Sequence, residues 1–193
     1  MAVKGPLAGV SLRRYWTSVA AYVVILLTTQ SVMGLGIDKF KELWGVATLE
    51  LVAYLVVAAG GAGVVWVLWK VWARCSVAER AWIGVALLFY GVGTLSARNP
   101  QERLHYLGYG LLAMLLYVGF ARRDETDAEP AGGAAWASAA ALVAGSFVGF
   151  ADELLQIVWP RRYFDWADVL MNIVAVGLGL LVAVPVWNAL QRD

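Results

Sequence analysis

Long apolar blocks separated by short polar stretches run the length of the chain. Residues 130–151 contain no Asp, Glu, Lys, Arg or His, and residues 173–188 form a second stretch of the same kind. A helix needs roughly 20 mostly apolar residues to cross a bilayer. By that measure the pattern predicts six spans, at 15–35, 45–69, 81–96, 104–121, 135–159 and 169–190. The third is the shortest and could extend back through Ala78. Strict alternation of apolar and polar residues over about ten positions, the mark of a membrane β-barrel, does not dominate anywhere. The expected fold is all-α: a polytopic membrane bundle of six transmembrane helices. Four of the five prolines (Pro6, Pro100, Pro130 and Pro160) fall at predicted ends, where a missing N–H does no harm. Pro185 lies within the sixth span and predicts a kink there or an early end.

Composition agrees with this reading. Hydrophobic residues make up 61% of the 193 positions and charged residues 15%, against about 25% charged in ordinary soluble proteins. The net charge of +1 comes with no basic stripe, so nucleic acid is not an expected partner. Cys75 is the single cysteine, which excludes an internal disulfide and any paired-thiolate metal motif. No cofactor is expected. The N-terminal stretch behind Lys4, Arg13 and Arg14 is too long for a signal-peptide core and lacks a small-residue cleavage site. It reads as an uncleaved first span.

Lysine and arginine set the expected orientation. With the N-terminus inside, nine of them fall in inner segments: Lys4, Arg13, Arg14, Lys70, Arg74, Arg80, Arg122, Arg123 and Arg192. Six fall outside: Lys39, Lys41, Arg98, Arg103, Arg161 and Arg162. The bias favours both termini inside. The ten tryptophans sit mostly near span ends, as an interfacial belt requires. Gly60, Gly61 and Gly63 in the second span suit a close helix seam, and Glu50 lies about one turn inside that span. The acidic segment between spans four and five reads as a mobile connector.

The chemistry gathers in the second half. His105 and Tyr109 open span four, and Asp152, Glu153 and Gln156 close span five. Arg161, Arg162 and Asp165 follow in the loop, and Asp168 and Asn172 open span six. If spans four, five and six each cross once, all these groups meet at one membrane face, the outer one in this orientation. Helical spacing sharpens the picture. His105 shares a face with Tyr109, and Asp152 shares one with Gln156. Asp152 and Glu153 diverge by about 100°, so they suit different neighbours. Asp168, Asn172, Ala175 and Gly179 form a stripe that is polar above and small below. Acids buried beneath an interface need partners, and Arg161 and Arg162 are the expected cations. Two readings stay open: a structural acid–arginine–amide network, or a site for a ligand or acid–base chemistry. A metal is not expected, because His105 is the only histidine and no HExxH pattern exists.

These residues resemble the VanZ-like family of small bacterial membrane proteins. Glu102, Arg103, His105, Tyr109 and Leu112 fit the family's first block. Asp152, Glu153, Gln156, Pro160, Arg162, Asp168, Asn172 and Gly179 fit the second. Arg161 stands where the family has a turn glycine, and Ala175 where it has a small glycine. The resemblance covers 95 to about 181. It divides the chain into residues 1–94, a membrane region with spans one to three, and 95–193, a three-span VanZ-like core. It implies a bacterial inner (cytoplasmic) membrane protein, multi-pass, with membrane lipid around it. The family's namesake is an accessory factor in glycopeptide resistance. Three functions are in view. One is a non-catalytic accessory or scaffold subunit beside other membrane protein chains, including a respiratory or photosynthetic assembly. A second is an envelope factor acting on an anionic or lipid-linked ligand at the outer face, with glycopeptide-resistance-type activity included. The third is a small transporter, for which no inverted repeat or broken-helix pair is visible.

The orientation gives a direct expectation. A cysteine placed at Ala128, in a background where Cys75 is removed, should react with a membrane-impermeant maleimide only after the membrane is opened. Labelling of intact cells would reverse the orientation.

Overall fold

A computed structural model describes residues 9–97, 100–126, 133–158 and 163–192. The described residues are helical apart from their joints. Six α-helices follow in order: α1 (Leu12–Trp44), α2 (Val46–Val71), α3 (Val77–Ser96), α4 (Pro100–Thr126), α5 (Gly133–Gln156) and α6 (Trp166–Gln191), with one 3-10 turn at Trp72–Arg74 between α2 and α3. Four of these segments are long and apolar enough to cross a membrane: Val46–Arg74, Glu102–Arg122, Gly133–Gln156 and Trp166–Gln191.

Local signals set the ends. Ser11 caps α1, accepting from the Arg14 N–H at 3.4 Å. Ser76 and Glu79 form a capping box that starts α3 at Val77, which gives the short third segment the early start its sequence allowed. Such reciprocal caps satisfy two end N–H groups that the helix itself leaves free. Gly45 alone joins α1 to α2 with φ at 80°, a conformation glycine adopts at no steric cost. One expectation needs correction. The first helix does not end near Leu35 but continues to Trp44, so Lys39 and Lys41 ride on helix, not loop. Its 33 residues measure about 50 Å at 1.5 Å each. Of the two outcomes expected at Pro185, a kink or an early end, the early end does not occur, and α6 runs on to Gln191 as the span to 190 implied. The ring removes one N–H from the ladder, and burial of Val182, Ala183 and Ala189 on either side holds the helix in place.

Contacts fix the direction of each helix. Tyr15 and Tyr22 of α1 donate their hydroxyls to the Leu115 and Gly108 carbonyls of α4, at 2.7 and 2.9 Å. Residue numbers rise on one helix as they fall on the other, so the two are antiparallel. Arg103 lies over Tyr54, and Gly60 against Leu107, which makes α2 parallel to α4. Tyr90 of α3 donates to the Ala175 carbonyl of α6 at 2.9 Å, while Asn188 and Arg192 at the far end of α6 reach Glu79 at the start of α3. Helices α1, α3 and α5 therefore run one way and α2, α4 and α6 the other. Helix α4 sits at the centre and touches all five others.

Small residues permit the tightest crossing. A Cβ on Gly179 would lie 2.5 Å from the Gly110 carbonyl oxygen and 2.9 Å from the Ala113 Cβ. The first neighbour is backbone and cannot yield, so α6 meets α4 there by contact of main chains. Ala175, one turn above, is fully buried. Of the three glycines in α2, Gly60 alone packs, against the Leu107 side chain; a Cβ on Gly61 or Gly63 would meet nothing within 4 Å.

At the opposite end from Asn172, α6 is strapped to α3. Arg192 pairs with both oxygens of Glu79, at 2.6 and 2.7 Å, and donates to the Arg74 carbonyl at 2.9 Å. The guanidinium holds the Glu79 carboxyl well below its ordinary 4.5, at about 2, helped by the Ser76 bonds and opposed by burial. A carboxyl lowered in this way contributes stability in full above its unfolded value and loses it as pH falls through the folded one. The unfolding midpoint in detergent should thus drop between about pH 5 and about pH 2 by more for the native chain than for Glu79→Gln, which keeps the capping box. High salt should shrink the difference, since Arg192 is half-exposed. Equal slopes would remove the strap from the stability of the fold.

Candidate functional site

The alternation of helix directions puts the start of α4, the end of α5 and the start of α6 at one end of the bundle. The polar residues collect there. His105 and Tyr109, one turn apart on α4, stack with ring centroids 5.8 Å apart and 23° between planes. The Tyr109 hydroxyl donates to Asp152 Oδ2 on α5 at 2.9 Å. His105 Nδ1 lies 2.9 Å from Asn172 Oδ1 on α6. The Asn172 amide nitrogen in turn donates to the Gly149 carbonyl at 3.3 Å. That bond turns the amide so that its oxygen faces the imidazole, an arrangement in which Nδ1 donates to Asn172 Oδ1. Gly149 is what lets Asn172 reach the main chain, because a Cβ there would sit 2.7 Å from the Asn172 Cβ.

The two neighbouring acids look in different directions, as the 100° between them requires. Asp152 turns to α4. Glu153 turns to the start of α6, where its Oε2 accepts from the Asp165 N–H at 3.2 Å, while Oε1 accepts from Gln156 Nε2 at 2.6 Å. Asp165 is also the N-cap of α6 and accepts from the Ala167 N–H at 2.8 Å. A negative carboxylate at this point lies where the helix offers unpaired N–H groups and the positive end of its dipole. Asp168 stands half-buried in the first turn of α6.

The group is closed. Tyr109, Asp152, Glu153 and Asn172 have no exposed surface, and His105 and Gln156 have 2% and 3%. It also lies nearer the helix end than the sequence pattern placed it. Helix α5 stops at Gln156, so Asp152 is about 6 Å from the end at 1.5 Å per residue. Arg161 and Arg162, the expected partners of the acids, lie outside the described residues. Among the described residues no three His, Cys, Asp or Glu side chains gather as metal ligands do.

Residues 102–188 match a family model described as VanZ/LLP1. This stretch is VanZ-like in sequence. The match begins just before Arg103 and ends beyond Pro185, taking in α4, α5, most of α6 and every member of the polar cluster. Helices α1 to α3 lie outside it. No curated protein and no solved structure matches the chain.

The burial of one residue of the VanZ-like region departs from the sequence reading. Arg103, counted there as a loop cation of the outer side, lies in α4 and is 8% exposed. Its guanidinium stacks over the Tyr54 ring at 4.4 Å. The signal was available: Arg103 precedes Leu107 and Leu111 at steps of four, the spacing of one helix face.

Chemically, the cluster holds three helices in register. Its carboxylates accept from fixed protein donors, and its histidine is tied to an amide. Substitution tests this. His105→Ala and Asn172→Ala should each lower stability in detergent by about 1–2 kcal/mol, the cost of leaving one buried polar group without its partner. The double variant should lose less than the sum, by about 0.5 kcal/mol or more. Strict additivity would mean that the two side chains do not act together.

Proposed function

We propose that this chain is a non-catalytic accessory subunit of a bacterial cytoplasmic-membrane assembly, with a VanZ-like core at 95–193 and three further helices at 1–94. All six helices cross the membrane, both termini lie inside, and the polar cluster is a structural staple on the outer side. The observation that carries this reading is the closure of the cluster. A ligand or substrate site needs an open approach and free hydrogen-bonding groups. Here Asp152, Glu153 and Asn172 are fully buried and bonded to other protein groups. The strict alternation of helix directions, fixed by the tyrosine–carbonyl and glycine contacts, supports six crossings. The excess of Lys and Arg on one side supports the orientation.

The rest of the support comes from α2. Only 11% of its most apolar window is buried within the chain. Leu51, Leu55, Ala58, Ala62, Val65 and Trp69 are all exposed and follow one another at steps of three and four, so they form one stripe. The stripe runs 18 positions, about 27 Å, close to the thickness of the hydrocarbon core. It is free of charge, and the small Ala58 and Ala62 at its middle suit close packing with another helix in the membrane. A partner helix from another membrane protein chain covers it in the assembly.

Photoreactive residues at Leu55 and Val65 test the proposal in native membranes. One discrete protein adduct, the same at both positions and absent from the buried Leu112, is the expected outcome. No adduct at either position, together with a monomer after mild-detergent purification, would defeat it.

A further inference from the structure

Arg103 is the one described cation of the outer end that is buried without matching acceptors. Its Nε and Nη1 are buried and bond to nothing, and its Nη2 reaches only the Ala97 carbonyl at 3.5 Å. The face of Tyr54 compensates part of the charge, but a ring face cannot accept two in-plane N–H bonds. Buried guanidinium donors call for a flat or tetrahedral oxyanion that takes two bonds at once. Tyr54, the side chain that covers the guanidinium, is itself 41% exposed at the outside of α2. The ring stacked on the guanidinium therefore stands at the membrane-facing side of the bundle.

Below Arg103 the same face of α4 continues as Leu107, Leu111, Met114 and Val118, at steps of four, four, three and four. Leu107 packs on Gly60. Leu111, Met114 and Val118 then floor a groove of about 450 Å³ between α2, α4 and α6. Gly60 and Gly63 form part of one wall, and Val186 and Trp187 part of another. The charged end and the apolar groove thus lie in line along one helix face. From Arg103 to Val118 is 15 residues, about 22 Å, or the depth from a headgroup phosphate to past the middle of the bilayer. The groove is separate from the outer stripe of α2 proposed for the partner chain, since Gly60, Val64 and Val67 of its lining lie roughly 140–180° around that helix from the stripe.

We infer that Arg103 and this groove hold one anionic diacyl phospholipid of the outer leaflet, its phosphate on the orphan N–H groups of Arg103 and an acyl chain along Leu111, Met114 and Val118. Basic pockets between membrane helices recognise anionic headgroups by these same bonds. The inference rests on the six-crossing, N-inside reading above for its leaflet.

Native mass spectrometry of the full chain, taken from nanodiscs that contain equal phosphatidylglycerol and a neutral glycolipid with the same chains, tests it. The native chain should retain one phosphatidylglycerol in preference to the glycolipid. Arg103→Gln should lower that retention about tenfold. Gly63→Leu, which fills the groove and leaves the arginine in place, should lower it too; a Cβ at Gly63 meets open space, so the variant should keep its helicity and melting point. Retention unchanged in both variants, or equal retention of the glycolipid, overturns the site. In a second set of nanodiscs with an equal amount of polyprenyl phosphate added, retention of that lipid ahead of phosphatidylglycerol overturns the choice of lipid. Loss of the lipid with the Leu55 adduct intact separates this site from the accessory role, which the cross-link alone decides.

Discussion

Hydrocarbon offers no hydrogen bonds, so every polar group that enters it must bring a partner or find one in the protein. The architecture of this chain follows from that demand. Backbone groups satisfy it by forming helices. Side chains satisfy it across helices. Tyr15, Tyr22 and Tyr90 each place a hydroxyl on a carbonyl of a neighbouring helix, and each such bond fixes the rotation and height of the helix that bears it. The His105–Asn172, Tyr109–Asp152 and Glu153–Asp165 bonds do the same for α4, α5 and α6 at one end, and the Glu79–Arg192 strap ties α3 to α6 at the other.

Polar bonds alone would leave the helices too far apart to reach one another. The glycines bring them close. Gly149 lets α5 approach Asn172, and Gly179 lets α6 rest on the main chain of α4 at Gly110. The polar end and the small-residue crossing below it work together: the first fixes register, and the second fixes distance. Such bonds are individually modest in membranes, near 1 kcal/mol or less. Their value lies in being specific where dispersion between apolar surfaces is not.

Much of this was legible in the sequence. Apolar block length gave helices, and span parity gave the meeting of His105, Asp152 and Asn172 at one end, because that conclusion needs only an odd or even count of crossings. The 3.6-residue period separated Asp152 from Glu153 before their neighbours were known. What was not legible had a common cause. The length of α1 and the burial of Arg103 both depend on what the neighbouring helix offers, and a single segment carries no record of that. A cation three residues beyond Pro100 looks like a loop residue until Tyr54, 49 positions away, is known to cover it. Arg161 and Arg162, the partners the sequence suggests for the acids, lie outside the described residues; within them, Glu153 accepts from a backbone N–H and from Gln156.

The separation between His105 and Asn172 has a consequence for biogenesis. The two are 67 residues apart in the chain. At about 5–20 residues per second, the ribosome delivers α4 roughly 3–13 s before the asparagine that completes its imidazole. Throughout that interval α4 stands at the insertion machinery with a polar turn and a half-formed seam. Tyr22 of α1, already made, can take the Gly108 carbonyl at once, so the first helix acts as a temporary companion for the fourth. The order of synthesis thus gives the N-terminal helices, which lie outside the VanZ-like region, a part in sheltering that region while it waits for its own last segment.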